Sequence, residues 1–533
     1  MRIVKHRGVS PQRLVPPFQG SALLGWMAPL VVALFGGILR FVRLGEPKAV
    51  VFDETYYIKD AYALLTYGVE RTMLGDAKDP VADKRLITGN LDIFKQCAEP
   101  SDCASFVAHP PLGKWMIGAG EWLFGMNPFG WRFAAALVGT LSILIMARVA
   151  RRMTRSTLLG CLGGLLLALD GLHLVLSRTA LLDIFLMFWV LAGFACLVAD
   201  RDWARRRLVE WYESAPITEL GPRLGARPWR LAAGACLGAA CAVKWSGIFF
   251  LIAFAVLTLM WDMGARRALG LREPYRGALS YDVPGGLAAM ALTPAAVFLA
   301  SWTGWFVTAD GWGRNWERAT TSAGNPFYFL FDSARSWLEY QSQVLGYHSG
   351  LDSYHPYMSE PWSWPLLLRP VSFHYPANLP PSLCGADKCS QAVLGVGTPA
   401  LWYGALLALI GLVAWYAATR DWRAGAVVLA FAGGWLPWFY YAIADNRTMY
   451  LFYMIPVVPF MVLAIVLLAG LILGKENAPP GRRAVGAAAV GAFALVVLIN
   501  FWWLYPVLTA ETLTQAEWWA RMLMRSWVTA APK

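Results

Sequence analysis

The sequence predicts an all-α polytopic membrane protein with about eleven transmembrane helices. Of its 533 residues 57% are hydrophobic and 27 are Trp, with a mean hydropathy of +0.46, a composition outside the soluble range. Apolar stretches of roughly 17 to 25 residues recur along the chain, the length at which a helix satisfies its own backbone across about 30 Å of hydrocarbon. Lys and Arg fall in short clusters between alternate stretches, as the positive-inside rule requires. That distribution accounts for the net charge of +12, so no nucleic-acid partner is expected.

The apolar segments are 23–41, 131–149, 158–176, 181–198, 231–243, 247–261, 287–306, 401–418, 424–442, 450–473 and 485–504. The first follows a basic N-terminus (Arg2, Lys5, Arg7, Arg13) and has no small-residue cleavage site, so it reads as an uncleaved signal anchor. The fifth and sixth are short and parted only by Lys244, Trp245 and Ser246. Arg148, Arg151, Arg152 and Arg155 follow the second segment; Arg201 and Arg205 to Arg207 follow the fourth; Arg266, Arg267 and Arg272 follow the sixth. Arg420 and Arg423 follow the eighth, and Lys475, Arg482 and Arg483 the tenth. An odd count then puts the N-terminus inside and the C-terminal tail outside a plasma membrane. The chain divides into a cytoplasmic tail (1–22), an N-terminal transmembrane module (23–306), a second large outer loop (307–399), a C-terminal four-helix module (400–506) and an outer tail (507–533).

Two long segments face outward, 42–130 and 307–399, and each holds one close cysteine pair, Cys97 with Cys103 and Cys384 with Cys389. An oxidising exterior makes two local disulfides the expectation, with free thiols the alternative. The first outer loop is not plain loop. "DETYYIKDAYALLTYG" places Tyr56, Ala63 and Tyr67 at helical spacing, and "HPPLGKWMIGAGEWLFG" follows a Pro-Pro helix start, so both read as interfacial helices.

Asp53 and Glu54 stand at the outer end of the first span. One of them could cap the next helix, but a cap needs one carboxylate and adjacent carboxylates repel. An ionisable group at a membrane boundary points to function. Each short outer loop carries one cation, Arg178, Lys244 or Arg447, and Arg132 begins the second span. Singly they read as snorkelling side chains; together they suggest a pocket for a phosphate at the outer leaflet. Asp170 and Asp183 lie inside apolar runs, where charge is paired, and Arg178 with Asp183 is the candidate pair. His109 is either a ligand or proton carrier, or punctuation before Pro110. His355 lies among aromatics and prolines that could form a sugar or peptide platform. Lys114 joins them as a substrate-binding or structural candidate. No His, Cys or acidic cluster has metal-ligand spacing.

In order, "VFDETYY", "HPPLGKW", "SRTALLDIFLMFW", "AVKWSGIF", "HPYMSEPWSWPLLLRP" and "NRTMYLFYMIPVVPF" resemble the protein O-mannosyltransferases, membrane glycosyltransferases of the GT-C fold, over nearly the whole chain and most closely in their actinobacterial form. The 307–399 loop is too short for the β-trefoil MIR domain of fungal and animal members. The resemblance implies transfer of mannose from polyprenyl-phosphate mannose to Ser or Thr hydroxyls of exported polypeptides, near the secretion translocon. It names this lipid-linked donor and no other cofactor, and leaves a divalent metal neither required nor excluded. It makes Asp53 the catalytic base, Glu54 an orienting or pocket-shaping acid, and Arg132, Lys244 and Arg447 the donor-site cations. A hydroxyl needs a positioned base, and a departing phosphate gains charge that nearby cations stabilise. A GT-C enzyme moving another sugar to a lipid or polysaccharide would share the acidic site. A transporter would show repeated halves and broken helices, which the sequence lacks.

Overall fold

Each apolar segment becomes a helix because, without water, only a helix pairs all its own backbone groups. A computed structural model describes residues 14–18, 20–75, 79–214, 218–316, 330–474 and 478–529; the basic N-terminal residues and Lys475 lie outside them. The chain begins with α1 (Leu24–Phe41), then crosses the first outer loop through α2 (Glu54–Tyr67) and α3 (Leu112–Phe124). Next come α4 (Pro128–Thr154), α5 (Thr157–Ala168), the short α6 (Gly171–Leu176), α7 (Leu182–Ser214), α8 (Pro228–Val243) and α9 (Gly247–Ala268). A last helical segment of this half, α10 (Pro274–Ser301), contains two π-helical turns. The second outer loop carries α11 (Asp332–Ser349), and the C-terminal half is α12 (Pro399–Thr419), α13 (Trp422–Ile443), α14 (Leu451–Leu473) and α15 (Pro480–Leu508).

Among the described residues, nine of these helices are long and apolar enough to cross a membrane. The third and fifth apolar segments are the shorter helices α5 and α8, of 12 and 16 residues. At 1.5 Å per residue neither reaches across about 30 Å of hydrocarbon. A charged residue cuts each of them short. Asp170 interrupts the third segment and caps α6 through the His173 amide at 2.9 Å, while its other oxygen accepts from the Trp402 indole at 2.7 Å. Lys244 ends α8 in an extended conformation.

Helices α7 and α14 are buried over most of their length and form the centre, while α10 and α15 present exposed Leu side chains for lipid to cover. Small residues let helices close on one another: a Cβ at Gly234 of α8 would stand 1.8 Å from the Ala289 carbonyl oxygen of α10. On one face of the bundle, Arg227 and Arg230 clamp Asp200 and Asp262 at 2.6 to 3.2 Å. On the other face lie the described residues of the two long connecting segments, 42–130 and 307–399. There Cys97 is bonded to Cys103 and Cys384 to Cys389. A strand at Cys389–Gln391 pairs antiparallel with Thr512–Thr514, which ties the C-terminal tail to the same face.

Candidate active site

The stretch that carries Asp53 and Glu54 is held from three sides. Arg178 donates to the carbonyls of Leu39, Arg40, Val42 and Arg43 at 2.7 to 3.2 Å, closing the C-terminal end of α1. It therefore does not pair with Asp183: a planar fork with five donors suits a helix end rich in free carbonyls. Arg132, completely buried, donates to the carbonyls of Leu44, Pro47 and Ala49 and makes a two-pronged bond to Glu54, 2.8 Å to Oε1 and 2.9 Å to Oε2. Glu54 also accepts from the amides of Val51 and Ala180, both at 3.0 Å. Arg132, expected from the sequence at the donor phosphate, instead spends its donors on the 44–54 segment. Glu54 is equally enclosed, and its hydrogen bonds shape the same segment.

Phe52 takes a positive φ of 47°, a conformation costly for a side chain with a Cβ. Aromatic packing holds it there. Its ring stacks on Phe373 at 4.9 Å and meets Phe452, Tyr450 and His355 edge-on at 5.8 to 6.2 Å. His355 belongs to this cage, its Nδ1 accepting from the Tyr357 amide at 3.2 Å. The forced turn delivers Asp53 to the start of α2 with a side chain that makes no cap bond. Burial, partly offset by Lys244 and reinforced by Asp183, pushes the Asp53 carboxyl up to about 7.

Lys244 and Asp183, the two charges that act on Asp53, line a cavity of about 130 Å³ whose polar lining includes His109, His348, Tyr441 and Arg447 and whose walls include Phe249, Phe250 and Trp438. Lys244 binds both oxygens of Asp183, at 3.0 and 2.8 Å, and its ammonium stands over the Tyr453 ring. Arg447 donates to the His348 carbonyl and, at 3.2 Å, toward His348 Nδ1, while His348 Nε2 donates to the Ala108 carbonyl at 3.0 Å. Those bonds define a neutral imidazole. Burial and Arg447 push His348 down to about 4, and burial with Lys244 and His348 pushes His109 far below its ordinary range. His109 Nδ1 has no partner, and its ring lies 5.3 Å from that of His348. Two fixed cations and two neutral imidazoles therefore share one cavity with a single acid already paired. Lys114 stands apart from it, buried against Glu70 and Asp60, and ties α3 to the segment after α2.

His348 was not singled out from the sequence. It ends α11 as "GYHSG", and only the fold, through Arg447 nearly a hundred residues on, gives it a purpose. The buried set of Arg40, His173 and Ser142 went unnoticed likewise; His173 links the other two at 2.6 and 2.9 Å, inside the bundle.

A helical membrane bundle with a carboxylate and two cations at one face is the architecture of a GT-C glycosyltransferase. The fold matches a solved protein O-mannosyltransferase complex of Saccharomyces cerevisiae bound to the sugar donor, with a TM-score of 0.68 over 96% of this chain and 93% of that one, at 14% identity. Residues 30–272 match the dolichyl-phosphate-mannose-protein mannosyltransferase model, and 333–527 the C-terminal four-span region of protein O-mannosyltransferases. The polyprenol-phosphate-mannose–protein mannosyltransferase of Mycolicibacterium smegmatis is 38% identical over 97% of this chain and 96% of its own. That of Mycobacterium tuberculosis is 36% identical over 97% and 95%. The chain belongs to the protein O-mannosyltransferase family.

Proposed function

We propose that this chain transfers mannose from polyprenyl-phosphate mannose to Ser or Thr hydroxyls of exported proteins, at the outer face of the plasma membrane. The observation that carries the reading is the placement of Asp53, whose side chain makes no cap bond, in the electrostatic reach of Lys244, which lines one cavity together with Arg447. The names of the family relatives supply donor and acceptor.

In the reaction, the acceptor hydroxyl gives its proton to the Asp53 carboxylate as its oxygen bonds to C1 of mannose. The bond from C1 to the carrier phosphate breaks on the opposite side, inverting the anomeric centre. The phosphate takes up negative charge, and Lys244 and Arg447 stabilise that charge more in the transition state than in the bound donor. A base held near pKa 7 suits proton removal at neutral pH. Phe249, Phe250 and Trp438 give the first isoprene units an apolar wall.

Membranes bearing the protein, incubated with radiolabelled polyprenyl-phosphate mannose and a Ser/Thr-rich peptide, test this directly. Label in the peptide, lost on Asp53→Asn, is the expected result. Label in lipid or polysaccharide alone would assign the chain to another GT-C reaction.

A further inference from the structure

The opposite face of the bundle carries a second cluster of cations, and it is not balanced. At the inner-facing ends of α4 and α7, one carboxylate, Asp202, serves Arg155 at 2.7 Å, Arg152 at 3.2 Å and Arg201 at 4.0 Å. Arg205 stands one turn further along α7, close enough to repel Arg201. The next acid, Asp421, is occupied by a two-pronged bond from Arg423 at 3.0 and 2.7 Å. Four guanidinium groups thus share one carboxylate.

Arg201 is the telling member. It is only 4% exposed, yet among the described residues its guanidinium makes no hydrogen bond, and Nε is enclosed without a partner, as is Nε of Arg205. What holds it is aromatic: the group lies 3.5 Å from the centre of the Trp422 ring and 5.8 Å from that of Trp261, which itself meets Trp422 edge-on. A guanidinium flat on an indole keeps its in-plane donors free along its edge. Burying a cation without hydrogen bonds is costly, and a cluster of like charges adds to that cost. An anion with several acceptor oxygens removes both penalties.

We propose that Arg201, Arg205 and Arg155 form a binding site for the phosphate of an anionic phospholipid in the leaflet opposite Asp53. The ligand class follows from chemistry and height. Planar forks suit phosphate oxygens, and Trp422 opens α13 while Trp261, packed edge-on against it, lies two turns before the end of α9, near headgroup level. There the abundant phosphate is that of lipid, and basic pockets between membrane helices take such headgroups. The site lies one span away from the mannose reaction: Asp183 and Arg201 are separated along the single helix α7 by about 27 Å. It does not depend on the proposed reaction.

Native mass spectrometry of the delipidated full-length protein, titrated with phosphatidylglycerol or phosphatidylcholine, tests it. Wild type should retain one phosphatidylglycerol with a preference on the order of tenfold or more over phosphatidylcholine, because the two share the same phosphodiester and only the latter brings a choline cation among like-charged arginines. Arg201→Gln should abolish the preference. Arg205→Gln and Arg155→Gln, at less buried positions, should each weaken it and carry the test if Arg201→Gln does not fold. Arg447→Ala, on the other face, should leave it intact. Equal binding of the two lipids by wild type, or a preference lost in Arg447→Ala and kept in the inner-face variants, overturns the proposal. Displacement of the lipid by excess inorganic phosphate would mark a site for the free ion and overturn the lipid assignment.

Discussion

Asp53 and Glu54 are neighbours in sequence with opposite expected signatures, and substituting each by its amide separates them. Glu54 accepts four hydrogen bonds, two of them from Arg132, and both side chains are completely enclosed. In Glu54→Gln one oxygen becomes an NH₂ that must face either Arg132 Nη2 and the Val51 amide, or Arg132 Nε and the Ala180 amide. Donor then opposes donor, and the Arg132 charge loses its counter-charge. Breaking a buried ion pair by removing one partner costs about 3 to 5 kcal/mol. At 1.36 kcal/mol per decade that is roughly a hundredfold to a few thousandfold in the folded population of the 44–54 segment. Asp53 has no cap bond to lose, so Asp53→Asn should melt as wild type while transfer falls about 10²- to 10⁴-fold, the worth of a general base. The assay is paired: thermal unfolding of each variant in detergent, and peptide mannosylation per folded molecule. Pairing Glu54→Gln with Arg132→Met should cost less than the sum of the two single changes, because the buried charge goes with its partner. A Glu54→Gln enzyme with wild-type melting and a selective loss of turnover would refute the reasoning and make Glu54 a reacting group.

With Asp53 active as the carboxylate and its pKa pushed up to about 7, kcat/KM should rise about tenfold per pH unit below that value and level off above it. A profile flat from pH 5 to 8 would exclude Asp53 as the titrating base. Arg447→Lys keeps the charge but replaces the fork that grips His348 by one ammonium centre, so the KM for polyprenyl-phosphate mannose should rise, and Arg447→Ala should raise it further, by roughly tenfold to a hundredfold; three superimposable saturation curves would return Arg447 to the ordinary interface arginines. His348→Ala, which frees Arg447 without removing it, should raise the same KM by a smaller factor, and no change would deny His348 a positioning part. Arg178→Met should lower the melting temperature and leave donor KM untouched, since Arg178 closes a helix end; strong coupling to Asp183→Asn in a double-mutant cycle would restore the pair the structure rejects.

The eleven apolar segments could be read as helical from hydropathy because the bilayer leaves the backbone one solution, but among the described residues two of them, α5 and α8, stop short of a span. Partners could not, since nothing local says where a side chain points after the chain has crossed the membrane. Arg178 and Asp183 are five residues apart, yet one turns to α1 and the other to Lys244. Arg132 looked like Lys244 and Arg447 in sequence, a lone cation at an outer helix end; only burial against three carbonyls and Glu54 distinguishes it. Asp53 stood out through its pairing with Glu54. The reason for the pairing, one acid to build and one left uncapped, needed the fold.

Lys244 has a consequence for turnover that lies in its position between two acids. It is bonded to Asp183 and acts electrostatically on Asp53. In the proposed reaction one unit of negative charge migrates from Asp53 to the departing phosphate while the proton moves the other way. The ammonium faces a negative neighbour before and after, and the cavity's net charge does not change. Departure of the carrier and release of the proton are thus electrostatically linked events: a doubly charged phosphate leaving first strands Lys244 beside a neutral Asp53 and favours reionisation of that acid. On the proposed reaction, the departing lipid itself re-arms the base for the next hydroxyl.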